Sequence, residues 1–154
     1  MGGQRDEFSR WFANEGLLQQ AVSGLLSRMP ENSRVQILQG PQEYGKDIIF
    51  YTKGGFGEQI LCACVVKNTA VTGTVGSGRG ARTVFLQAEQ AFDTPHVDES
   101  GNDVRVSRVY IVTTFPMRPE TIHSIDGKLK ERAGQISFID GPILLKLFRE
   151  YWPA

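Results

Sequence analysis

Residues 47–67, DIIFYTKGGFGEQILCACVVK, decide the fold. Two β-prone runs, Asp47 to Tyr51 and Gln59 to Lys67, flank the loop Lys53-Gly54-Gly55-Phe56-Gly57. Aromatic and β-branched residues on either side of a glycine-rich turn read as an antiparallel hairpin. A turn centred near Gly55 sets Asp47 opposite Cys64 or Val65, at the end of the hairpin far from the loop. Residues two apart in a strand share a face, so Val65 and Lys67 point together and Val66 points away. Asp47 and Lys67 are therefore expected on the same sheet edge.

Toward the N-terminus, residues 8–29 read as one amphipathic helix. Phe8, Trp11, Glu15, Leu18, Val22, Leu25 and Met29 recur at alternating steps of three and four, Phe12 and Leu26 widen the stripe, and Pro30 ends it. Glu15 is a carboxylate in the middle of that apolar face, either an edge position reaching water or an acid aimed inward at a site. Arg34 to Leu38 alternates like a strand, followed by the turn-rich GPQEYG at residues 40–45. Beyond the hairpin, residues 68–83 are glycine-rich and expected to be mobile, and Thr83 to Phe92 reads as a second helix. An acidic, turn-forming loop from Asp93 to Asp103 leads to a buried-type strand, Ser107 to Thr114. Pro119 suits the first turn of a helix carrying Ile122, Ile125, Leu129 and Ala133 on one face. Gln135 to Ile139 is the next strand, and Asp140 is placed to cap a last helix with Leu144, Leu145, Phe148 and Tyr151. The order α-β-β-β-α-β-α-β-α implies an α/β domain, a mixed central β-sheet flanked by helices with one right-handed crossover near its end.

The 154 residues suit a single domain, 1–154, long enough to bury a core without staples. Lys plus Arg and Asp plus Glu both number 17, so the net charge is zero, which excludes a binder driven by bulk positive charge but not a nuclease with a local basic cleft. The 17 glycines exceed the usual share of about 7%. Cys62 and Cys64 sit one residue apart and cannot comfortably bridge within a strand, so no disulfide framework exists and a cytoplasmic location is expected. MGGQRDEF lacks an apolar signal core and no run reaches a membrane span, so no membrane association is expected.

A carboxylate opposite a lysine at a strand end suits phosphodiester hydrolysis: the carboxylate holds a divalent cation, and the lysine positions water or neutralises charge on phosphate oxygens. The local words sharpen this. Gly40-Pro41-Gln42-Glu43-Tyr44-Gly45-Lys46-Asp47-Ile48, followed after the hairpin by Val65-Val66-Lys67-Asn68, resembles the restriction-endonuclease-like, or PD-(D/E)XK, superfamily. It is most similar to Mrr-type domains and to the N-terminal nuclease-like effector domains of bacterial anti-phage NTPases. Val109-Tyr110-Ile111-Val112-Thr113 and Phe138-Ile139-Asp140-Gly141 with Leu144-Leu145 resemble the closing βαβα unit of that superfamily, so the likeness runs from about residue 8 to 152.

That resemblance implies a Mg²⁺- or Mn²⁺-dependent DNA endonuclease acting in defence. It also implies further domains of the same polypeptide and possible homo-oligomerisation on activation. Asp47 is its metal-binding aspartate, Lys67 its catalytic lysine, Glu15 the acid of the preceding helix, and the Val66 carbonyl a further metal ligand. One departure stands out: Val65 occupies the place of the family's Glu or Gln. Glu15, Glu43, Gln87 or Gln90 are the candidate donors of the missing oxygen, the two glutamines matching a helix position often occupied by glutamine in Mrr relatives. The alternative is a catalytically degenerate module of the same fold that binds DNA or a protein.

Ile60 to Ala88 contains no acid but holds Lys67, Arg79 and Arg82, so this stretch is either a DNA-phosphate contact or a solvated loop. Lys46, beside Asp47, joins Arg79 and Arg82 as a candidate DNA contact. The glycine run at 73–80 lacks both the Gly-Lys-Ser/Thr of a phosphate loop and the strand context of a dinucleotide fold. His96 and His123 show no zinc spacing.

Overall fold

Asn14, and not the apolar repeat beginning at Phe8, sets where the first long helix starts. Its side-chain oxygen accepts the Leu17 N–H at 2.9 Å, satisfying a donor that the first turn would leave bare. Helix α1 consequently runs Glu15–Ser27. Leu18, Val22 and Leu25 form its buried stripe, whereas Trp11, expected on that stripe, is 61% exposed. Glu15 is thus the first residue of α1 and not an acid in mid-face, a position that suits its charge to the helix dipole.

The computed structural model describes residues 8, 10–38, 45–77 and 80–152. After α1 come β1 (Asn32–Ile37), β2 (Ile48–Lys53), β3 (Gln59–Lys67), α2 (Gly80–Asp93), the short β4 (His96–Val97) and β5 (Asp103–Val104), β6 (Arg108–Thr113), α3 (Pro119–Lys128), β7 (Ile136–Ile139) and α4 (Gly141–Tyr151). One five-stranded sheet has the order β1-β2-β3-β6-β7. Its first two pairings are antiparallel, while β3·β6 and β6·β7 are parallel. The protein is therefore α/β with a mixed central sheet and, among the described residues, four α-helices. Two parallel connections are present where one was expected, because α2 returns the chain to lay β6 directly beside β3.

The hairpin pairs Ile48 with Cys64 through to Lys53 with Gln59, and the Asp47 N–H donates to the Cys64 carbonyl at 2.9 Å. Alternation along its strands makes two cores. Ile49, Leu61, Ala63, Val65, Val109 and Ile111 face α2 and α3; Ile48, Phe50, Cys62, Cys64, Val66 and Val112 face α1 and α4. Both cysteines are free, buried, and on one face.

Three local outcomes correct the sequence reading. The glycine-rich segment after β3 is tied down: Thr113 Oγ1 donates to the Thr69 carbonyl, Thr121 Oγ1 to that of Gly73, and Ser124 Oγ accepts the Val75 N–H, each at 2.8 Å. Side-chain hydroxyls there replace the ladder that the loop backbone lacks. The acidic loop contains the β4–β5 hairpin, whose turn Asp98 closes by accepting the Ser100 and Asn102 N–H groups. Asp140 stands at the N-cap position of α4, yet its Oδ2 accepts the Met117 N–H at 3.1 Å and caps nothing. No helix among the described residues is long and apolar enough to cross a membrane.

Candidate active site at the open end of the hairpin

Asp47 sits just before β2 and is only 6% exposed. Its Oδ2 accepts the Val66 N–H at 2.7 Å. The reason is strand geometry: Cys64 and Val66, two apart, turn their backbone groups to the same side. At Cys64 the backbone of Asp47 supplies the partner; at Val66, beyond the end of β2, the Asp47 carboxylate does. The Val66 carbonyl lies on that same edge as its own N–H, so a carboxylate and a main-chain carbonyl share one strand edge.

Lys67 is half-buried, ends β3 and pairs with Thr113 of β6. By alternation it shares the face of Val65, the face that α2 and α3 cover, whereas the Asp47 carboxylate lies at the strand edge on the Val66 N–H. The ion pairs among the described residues are Arg118–Glu120 and Arg132–Asp93, so no salt bridge joins Asp47 to Lys67. Val65 is fully buried in the apolar cluster with Ile49, Ala88 and Phe92.

Helix α2 brings Gln87 to this region. Gly45, at φ +81°, lets the chain enter β2 so close under α2 that a Cβ there would stand 2.3 Å from the Gln87 carbonyl oxygen. The side-chain Oε1 of Gln87 is buried and has no hydrogen-bond partner. Such an oxygen costs about 1–3 kcal/mol unless something donates to it or binds it. Gln90 is exposed, so the two glutamines that the sequence left equivalent differ in the fold.

Glu15 approaches from the other layer. Asn68 Nδ2 donates to the Phe12 carbonyl at 3.0 Å and Asn68 Oδ1 accepts from Thr114 Oγ1 at 2.9 Å. This clasp ties the segment leading into α1 to the end of β3. Glu15, half-buried, begins a helix that packs on the face opposite Lys67. Nothing in the sequence couples residues 12, 68 and 114, so the clasp was not foreseeable. Among the described residues no group of three His, Cys, Asp or Glu is gathered to hold a metal.

Of the expected DNA contacts, Arg82 is exposed on α2. Arg79, like Glu43 and the rest of residues 39–44, lies outside the described residues. Lys46 is instead turned inward, 2% exposed, with Nζ donating to the Thr94 carbonyl at 2.8 Å. The tight turn at Gly45 aims it at the C-terminal end of α2, where a cation meets unsatisfied carbonyls, and burial lowers its pKa. No family model matches the chain, and neither a curated protein nor a solved structure matches it.

Proposed function

We propose that this domain is a metal-dependent DNA endonuclease of restriction-endonuclease-like fold, with Asp47 and Lys67 at its centre. The observation that carries this reading is the buried Asp47 carboxylate, oriented by the Val66 N–H at the end of the strand that finishes in Lys67. Carboxylate, main-chain carbonyl and carboxamide oxygens are the donors that hard divalent cations prefer. Asp47, the Val66 carbonyl and the orphaned Gln87 Oε1 supply donors of these kinds, and in this reading Gln87 stands in for the acid absent at Val65. Bound there, Mg²⁺ or Mn²⁺ polarises a phosphate and acidifies water. Lys67 positions the attacking water or meets charge developing on the phosphate oxygens. Glu15 adds negative charge at the strand end, and Arg82 contacts the DNA backbone. Gln90 and Lys46 have lesser parts, one exposed and the other turned inward. A role as defence effector, attached to further domains and assembling on activation, belongs to the same reading.

The test is plasmid cleavage in Mg²⁺ or Mn²⁺ by the wild type, Asp47→Asn and Lys67→Ala. Asp47→Asn keeps an oxygen for the Val66 N–H, so the fold stays within about 1 kcal/mol while cleavage drops by roughly a hundredfold or more. Equal nicking by all three proteins, or none by any, overturns the catalytic assignment.

A second reading, a non-catalytic module of this fold binding DNA or a protein, is favoured by one observation: Val65 fills the acid's place with a buried apolar side chain. Calorimetric titration of divalent ions separates the two. A protein that takes up no ion even beside DNA supports the module.

A further inference from the structure

The face of the sheet away from Lys67 carries a cavity that the nuclease reading leaves unused. It measures about 270 Å³ and lies between α1 and α4, with the sheet as its floor. Val22, Leu25 and Met29 of α1 and Leu144 and Leu147 of α4 form its walls. Across the floor, the strand register sorts the residues by chemistry. Asn32 pairs with Thr52, and Arg108 stands level with Cys62. These polar residues occupy one end, while Cys64, Val112 and Ile139 line the other. The walls therefore enclose an apolar channel with its polar groups gathered at one end, as in small-molecule sites.

Arg108 is the distinctive member. It is exposed, and the ion pairs among the described residues do not include it. Its charge nevertheless reaches inward. Burial pushes the Cys62 thiol up to about 11, and the Arg108 guanidinium opposes that rise. Burial likewise raises the Tyr110 phenol, and Arg108 again acts the other way. The cation thus bears on the floor, and the salt bridges among the described residues give it no carboxylate partner. The volume holds about nine groups of roughly 30 Å³ each, the size of a water or a methylene.

We infer that this cavity binds an amphipathic monoanion, its apolar chain of about eight to ten carbons between α1 and α4 and its carboxylate on Arg108. The charge complementarity selects a carboxylate over a neutral lipid or a flat protein surface. A guanidinium–carboxylate contact is charge-assisted and stronger than a neutral hydrogen bond. The site uses neither Asp47 nor Lys67 and stands whether or not the domain cuts DNA.

The probe is decanoate, kept below its micelle concentration, followed by methyl NMR and thermal melting of the protein. Decanoate at about 1 mM or less is expected to shift the methyls of Val22, Val112 and Leu147 and to raise the melting temperature. Decanol is expected to bind about tenfold more weakly, and Arg108→Gln to bring decanoate down to the level of decanol. Arg108 is exposed, so this variant keeps the fold; the comparison of decanoate with decanol on the wild type stands without it. Absent methyl shifts, equal affinity for the two ligands, or an unchanged decanoate affinity in Arg108→Gln each overturn the proposal. So does self-association that perturbs these methyls without ligand, which would make a second copy of the chain the occupant.

Discussion

The two faces of the central sheet solve the same packing problem in opposite ways. On the α2–α3 face, helix and sheet close down on each other: Gly45 is in contact distance of the α2 backbone, and Val65, Ala88 and Ile111 are wholly buried. Lys46, drawn to the end of α2, donates to the Thr94 carbonyl, and the buried Gln87 Oε1 stands out because it lacks a partner. On the α1–α4 face, Trp152 at the end of α4 covers Gly24 of α1 and Arg28 stacks on the indole at 3.6 Å, while a cavity remains between the two helices. A closed layer can orient a carboxylate within a dry strand edge, because water is excluded and every hydrogen bond counts. A layer with space can admit a ligand. The contrast lies at the sheet surface itself: α2 packs directly on it, while a cavity remains between it and α1 and α4.

Three measurements test that contrast. The largest effect belongs to Gly45→Ala, which adds a Cβ 2.3 Å from a backbone oxygen at a positive φ. A loss of about 4 kcal/mol or more in denaturant titration is expected, enough to unfold a marginal domain. A loss below about 1 kcal/mol would mean that the α2 face is not closed. Next comes a pair of truncations. Ile111→Ala on the closed face should cost about 3 kcal/mol, whereas Leu147→Ala, beside existing space, should cost about 1 kcal/mol. Equal costs would erase the difference between the faces.

The smallest effect concerns the thiols. Burial raises both, Cys62 to about 11 from 9.0, so the folded protein holds them neutral at ordinary pH. Iodoacetamide at about pH 8 should leave the intact mass unchanged. For an acid whose folded pKa is raised, stability is full below the unfolded value and falls as pH rises toward the folded one. Melting temperature should therefore decline across pH 9.0 to about 11, and Cys62→Ala should lessen that decline.

Legibility followed the range of the interactions. The third strand, Gln59 to Lys67, has the boundaries that its composition indicates, and the observed pairing of Ile48 with Cys64 sets Asp47 level with Val65, one of its two expected partners. Alternation also placed Cys62 and Cys64 together on one face. The start of α1 was misread because a single cap at Asn14 outweighs a periodicity that continues through it. The inward turn of Lys46 was invisible because the partner carbonyl, Thr94, is distant in sequence. Gln87 and Gln90 had equal standing until the packing of α2 buried one oxygen and left the other residue exposed.

Sequence alone indicated the five strands of the main sheet, the antiparallel hairpin and the candidate pair Asp47 and Lys67. Those features depend on neighbours in sequence: alternation, turn residues and spacing. The tertiary structure alone decided that β6 lies beside β3, that Asn68 clasps Phe12 to Thr114, that Gln87 carries an unpartnered oxygen, and that α1 and α4 leave a cavity with Arg108 at one end. Each of these arises where segments far apart in sequence compete for the same space and the same hydrogen-bond partners, and that competition is settled only when the layers pack.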